Sequence, residues 1–136
     1  MGNTAGKSKR AKFKGHEAVG GDKIFGRVSL SMWSSEAWQD LNDKEKIVYI
    51  CMTMERYRQR QPAQDYPNMG FDDSCFYFPW SMADKYKLYE TSRSYFYRVI
   101  HNLEKHGFIE TVANGKSTKR KSIYRFSPKW KEWVIV

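Results

Sequence analysis

Apolar and polar positions alternate with helical regularity most clearly over residues 92–106. Phe96, Val99, Ile100 and Leu103 recur at i, i+3, i+4 and i+7, which lays four apolar side chains along one stripe of an α-helix. Ser92 can cap the start by accepting a hydrogen bond from a free backbone N–H. Gly107 can stop it, because glycine takes the left-handed conformation after a helix at no steric cost. Turning by about 100° per residue leaves Ser94, Tyr97, Arg98, His101 and Asn102 opposite the stripe. That outer face carries donors and aromatic rings, and no carboxylate before Glu104.

The preceding segments are shorter. Val28, Leu30 and Met32 alternate with Arg27, Ser29 and Ser31, which predicts a short half-buried extended segment. Ser35–Leu41 reads as a two-turn helix with Trp38 and Leu41 inward. Asn42-Asp-Lys-Glu45 has the spacing of a capping box and starts a longer helix with Ile47, Ile50, Cys51 and Met54 at helical spacing. Arg56, Arg58 and Arg60 crowd its end, where cations suit the helix macrodipole. Residues 59–74 read as a long loop, punctuated by Pro62, Pro67 and Gly70. Cys75–Phe78 is a short aromatic strand ended by Pro79. Ser81-Met-Ala-Asp84 resembles a second capping box, leading a short helix with Met82, Ala83 and Tyr86 available for packing.

The turn Lys87–Glu90 joins that helix to the one at 92–106, which is the helix-turn-helix order. Beyond Gly107 the pattern predicts a strand over 108–112, a tip over 113–121 and a return strand over 122–127. A tight turn at Asn114-Gly115 would set Phe108 and Ile109 against Lys121 and Arg120. A longer connection sets them against Ile123 and Tyr124, which keeps apolar residues together. Pro128–Val136 is rich in large apolar residues, which either close the core or form a partner surface.

Charge adds a direction. The chain of 136 residues carries a formal net charge of +9, which favours a polyanionic partner. Residues 1–14 hold five Lys/Arg and no acid, and residues 111–131 hold seven and no acid. Residues 61–84 hold four Asp and no Lys or Arg, so charge is polarised along the chain. Residues 1–24 offer almost nothing to bury and read as a disordered basic tail ahead of a domain over 25–136.

Several function classes lose support from the residues themselves. Cys51 and Cys75 form no Cys-x-x-Cys pair and sit in apolar runs, so buried, reduced thiols are expected. His101 and His106 stand five apart and do not share a helix face, and Asp65, Asp72 and Asp73 lack the spacing of a calcium loop; no metal is expected. No Gly-x-x-x-x-Gly-Lys loop, nucleophile elbow or His-x-His cluster occurs, so neither an enzyme nor a cofactor is expected. No apolar run approaches the ~20 residues of a membrane span, and Gly6 stands where a myristoylation signal needs Ser or Thr. The expectation is a cytoplasmic protein with no membrane partner.

The run Ser92-Arg-Ser-Tyr-Phe-Tyr-Arg-Val-Ile-His-Asn-Leu-Glu-Lys-His-Gly-Phe-Ile109 resembles the recognition-helix pattern of winged-helix domains. There a capping Ser opens the helix, and a Leu-Glu-x-x-Gly ending leads into the wing. The lead-in Ser35–Leu41, with Lys46 and Tyr49 in the helix that follows, resembles winged-helix proteins of mobile elements, including the N-terminal domains of plasmid replication initiators. The resemblance covers about residues 25–130. Tyr97 stands where many relatives carry a small residue, and the 59–74 loop is long for the fold. The fold implied is α+β and mainly helical: a winged helix-turn-helix with a small antiparallel sheet.

The resemblance implies a sequence-specific double-stranded DNA-binding protein, serving transcription or origin recognition, with replication or transcription proteins as partners. Ser92, Arg93, Ser94, Tyr95, Tyr97, Arg98, His101 and Asn102 would contact DNA from the helix. Lys116, Lys119, Arg120 and Lys121 would do so from the wing. Arg93 and Arg98 lead this set because a guanidinium matches guanine's major-groove edge with two donors. A homodimer is the usual remedy for the modest affinity of one recognition helix. The alternatives are a protein-docking module using Trp130–Val136 or the acidic 59–74 loop, or a binder of RNA or single strands.

Overall fold

The structure, a computed structural model, describes residues 24–59, 75–114 and 122–136. Within these, short polar side chains start the helices by taking up free backbone N–H groups. Ser29 caps α1 (Leu30–Trp33) and Ser35 caps α2 (Glu36–Gln39), accepting from Met32 and Trp38 N–H at 3.2 and 3.1 Å. Asn42 starts α3 (Asp43–Arg58) with both bonds of a capping box, at 2.8 and 2.9 Å to Glu45. After β1 (Cys75–Tyr77) come α4 (Met82–Lys85) and α5 (Arg93–Lys105), the latter capped by Ser92 accepting from Tyr95 N–H at 3.2 Å. Strands β2 (Ile109–Ala113) and β3 (Ile123–Phe126) and a 3-10 turn (Lys129–Glu132) complete the order.

The architecture is α+β. About half of the described residues are helical, and three short strands form an antiparallel sheet in the order β1-β3-β2. The core lies between α3, α5 and the sheet. Trp38, Phe76, Phe78, Phe96, Leu103 and Phe108 are fully buried there. Tyr49 of α3 packs edge-on against Trp38, Phe108 and Phe126, tying the helical layer to the sheet.

Gly107 ends α5 as expected, at φ 85°. Phe108 N–H bonds Leu103 O and Gly107 N–H bonds Glu104 O, both at 3.0 Å, the double closure of a Schellman motif. A second constraint acts there: a Cβ on Gly107 would lie 2.6 Å from Trp130 N, whose N–H bonds Gly107 O at 3.0 Å. The 3-10 turn therefore rests on the helix end, with Trp130 stacked on Phe108 and closing the core.

The two outer edges of the sheet are occupied by side chains. The Gln59 amide donates to Tyr77 O at 2.9 Å and accepts from Tyr77 N–H at 2.7 Å, standing in for a fourth strand beside β1. Glu104 accepts from the Thr111 backbone N–H (3.1 Å) and hydroxyl (3.2 Å) beside β2. Exposed strand edges invite pairing with other chains, and both contacts blunt that tendency.

Five local expectations are corrected. Val28–Met32 is not extended: Ser29 caps a helical turn from Leu30, and Leu30 points outward at 80% exposure. Ser35–Leu41 gives a single helical turn, although Trp38 and Leu41 are buried as expected. On α3, Ile47 is exposed, and Val48, Tyr49, Cys51 and Met52 are buried, because the helix packs against both α5 and β1. Ser81 makes no cap: its backbone is already helical, and the chain turns earlier through Met82 N–H to Pro79 O at 2.9 Å. The hairpin register lies further along, with Ile109 opposite Phe126, Thr111 opposite Tyr124 and an irregularity before Ala113 opposite Ile123. Phe108 leaves the ladder to fill the core, which shifts the pairing.

Both cysteines are buried, and neither is in a disulfide. No described helix is long and apolar enough to cross a membrane.

Candidate nucleic-acid interface

The four-residue stripe read from the sequence is the buried face of α5: Phe96, Val99, Ile100 and Leu103 are all buried. Burying them contributes roughly 1.5–3 kcal/mol per side chain, and it fixes which side faces outward. Polar contacts on the flanks stop the helix from rolling. Asn102 donates to Glu45 Oε2 of α3 at 2.6 Å, and Glu104 holds Thr111 of β2. At the C-terminal end, the buried His106 ring meets Asn102 O at 2.8 Å and Asp40 Oδ2 at 2.9 Å, and stacks on Trp133.

Ser94, Arg98, His101 and Lys105 are left on the exposed side, with Tyr97 beside them at 41% exposure. The Arg98 guanidinium lies 5.4 Å from the centroid of Tyr95, which is half-buried against the core. Arg93 is held similarly, 5.5 Å from the Trp80 centroid, and the Trp80 indole donates to Thr91 O at 3.2 Å. These ring contacts hold two long cationic side chains while leaving their edge N–H groups able to donate. Ser92 is spent on the cap, and its hydroxyl lies 3.4 Å from that of Ser94.

Among the described residues, two carboxylates that flank the outer face are engaged elsewhere. Glu45 is buried against Asn102 and its own capping box, and Glu104 is taken up by Thr111. Lys44 adds charge near the start of α5, with Nζ 3.0 Å from Thr91 Oγ1. Burial pushes the Tyr49 and Tyr124 phenols up to about 12; for Tyr124, a Ser122 hydrogen bond opposes this, while nearby Tyr97 and Glu104 reinforce it. Burial likewise lifts the Cys51 thiol to about 11, which leaves it a packing residue rather than a nucleophile.

Of the residues expected at the interface, Arg93, Ser94, Tyr97, Arg98 and His101 share the exposed side of α5 or its rim. Tyr95 serves as the ring beneath Arg98. Asn102 is corrected: its amide is committed to Glu45 and does not face outward. Lys116, Lys119, Arg120 and Lys121 lie outside the described residues, as do Asp65, Asp72, Asp73 and residues 1–23. The sequence reading missed Lys105, which helical spacing places on the outer face, and Trp80 and Lys44, which only the folded chain brings to the start of α5. Among the described residues, no group of His, Cys, Asp and Glu is arranged to hold a metal ion.

Neither a scan against protein-family models nor searches of curated proteins and of solved structures finds a match to this chain.

Proposed function

We propose that this chain is a sequence-specific double-stranded DNA-binding protein of the winged helix-turn-helix type, with 92–106 as recognition helix and 113–121 as wing. One observation carries the reading: α5 buries its whole apolar stripe and presents Arg98, His101, Lys105 and Ser94 on the opposite side, while the flanking carboxylates Glu45 and Glu104 are engaged by Asn102 and Thr111. An α-helix fits the major groove of B-form DNA, where guanidinium and hydroxyl groups can read base edges and phosphates set the register. The net charge of +9 supplies the sequence-independent share of affinity. Regulation of transcription or recognition of a replication origin of a mobile element are the roles we propose for it, in the cytoplasm and without catalytic activity.

Selection from random duplex DNA, followed by titration over salt, tests the proposal. Log affinity should fall steeply with log salt, with a slope set by the number of phosphates neutralised. A flat salt response, or affinity unchanged by Arg98→Ala combined with Lys119→Ala, Arg120→Ala and Lys121→Ala, would overturn it. Sedimentation on the selected site tests for a homodimer.

A docking module is the second reading, favoured by Val134, Ile135 and Val136, which are exposed apolar residues at the end of the chain. Truncation after Trp133 separates the two. A cut at Pro128 would remove Trp130 from the core and confuse folding with binding. Loss of a protein partner with DNA binding intact would favour docking.

A further inference from the structure

The turn between α4 and α5 is built at a conformational cost. Lys87 and Glu90 have φ of 55° and 60°, the left-handed region that side chains other than glycine's rarely occupy. Leu88 between them is buried, and Tyr89 stands out at 73% exposure. The backbone around Tyr89 is pinned nonetheless: Lys44 Nζ lies 3.4 Å from Tyr89 O and 3.0 Å from Thr91 Oγ1. Beside it, the indole of Trp80 is fixed by its bond to Thr91 O, is 39% exposed, and carries the Arg93 guanidinium over its ring. Two accessible rings, Trp80 and Tyr89, thus flank the turn just before α5, with Arg93 over the first and Lys44 at the backbone carbonyl of the second, and Lys87 lies exposed within the turn. Glu90 is the carboxylate of this turn.

Neither ring is needed to close the core, and a strained turn that exposes a tyrosine points to a use outside the fold. Rings with cations alongside suit one chemistry well, the flat face of a nucleobase with its phosphate beside it. A paired base hides its faces in the stack; an unpaired one does not. We propose that Trp80, Tyr89 and Arg93 form a stacking platform for an unpaired nucleobase, so that the protein prefers a duplex continued by a single strand over a blunt duplex. This rests on the DNA-binding reading of α5 and adds a substrate class to it.

Fluorescence anisotropy on one selected duplex, blunt or extended by an oligothymidine tail at its 3′ or 5′ end, tests the platform. The tailed duplex at one of the two ends should bind on the order of tenfold more tightly. Trp80→Ala with Tyr89→Ala should abolish that preference, so that this variant binds blunt and tailed duplexes with equal affinity, with circular dichroism confirming the fold. Trp80→Phe, which keeps a ring but loses the indole N–H, should retain the preference. Equal affinity for blunt and tailed duplexes, or a preference that survives the double substitution, would overturn the platform and leave the α5 reading standing. Binding of the free oligothymidine with no binding of any blunt duplex would support the platform and overturn the α5 reading.

Discussion

The two long helices of this protein, α3 with 16 residues and α5 with 13, differ in how they are buried. α5 has one apolar stripe, and everything on it is inside. α3 packs against α5 on one side and β1 on another, and it takes two carboxylates into the interior with its apolar residues: Glu45, shared between its capping box and Asn102, and Glu55. Glu55 is 1% exposed and accepts from Lys85 (2.9 Å), Tyr86 (2.7 Å) and Gln59 (2.8 Å). One carboxylate thus links α3 to α4 and, through Gln59, to the edge of β1. The contrast teaches a division of labour. α3 is the spine that holds other elements, and α5 is fixed by the spine, with Ser94, Arg98, His101 and Lys105 exposed on its far side.

That contrast can be tested by breaking each helix in turn. The largest effect is expected at alkaline pH, through buried phenols including Tyr49 on α3. In the unfolded chain a tyrosine ionises near its ordinary value of about 10. In the folded chain Tyr49 and Tyr124 keep their protons to about 12. Between these values the unfolded state binds fewer protons, so stability holds below about pH 10 and falls as pH rises toward 12, by on the order of 5 kcal/mol for the pair. Urea denaturation across this range should show the decline, and Tyr49→Phe should remove about half of it. A stability flat from pH 9 to about 12 would show that these phenols are not buried as described.

Next comes Glu55→Ala, which strips three donors of a shared acceptor inside the protein and should cost about 3 kcal/mol by denaturant unfolding. Its folded fraction should keep DNA affinity, because the substitution lies on the spine. Asn102→Ala sits at the contact between the two helices. It leaves the buried Glu45 Oε2 without its 2.6 Å donor and should cost about 1–2 kcal/mol, with a loss of DNA affinity as α5 gains freedom to roll. Unchanged stability would mean that packing alone sets the helix orientation. The smallest effect on stability, within about 0.5 kcal/mol, is expected for the exposed Arg98→Ala. On affinity it should be the strongest of these substitutions, about tenfold or more on the selected sequence. A large stability loss there would place Arg98 in the fold rather than at an interface.

How far each region could be read from its residues follows from the same difference. The caps at Asn42 and Ser92, the stop at Gly107 and the four buried residues of α5 were legible, because each depends on neighbours within one or two turns of the chain. On α3 a single-stripe reading put Ile47 inside and overlooked Val48, because contact on two sides broadens and shifts the buried arc. Nothing local marks Glu45 and Glu55 as buried, since Asn102 and Lys85, which donate to them, lie 57 and 30 positions away.

Local chemistry in the sequence settled where α5 begins and ends and which of its sides is greasy, since hydrogen bonds and side-chain periodicity over a few residues suffice for that. Tertiary structure alone decided that Asn102 turns inward to Glu45, that Arg93 lies over Trp80, that Gln59 and Glu104 cover the sheet edges, and that Phe108 leaves the hairpin for the core. Those outcomes require groups far apart in the chain to compete for the same donor, acceptor or volume, and that competition exists only once the elements have packed.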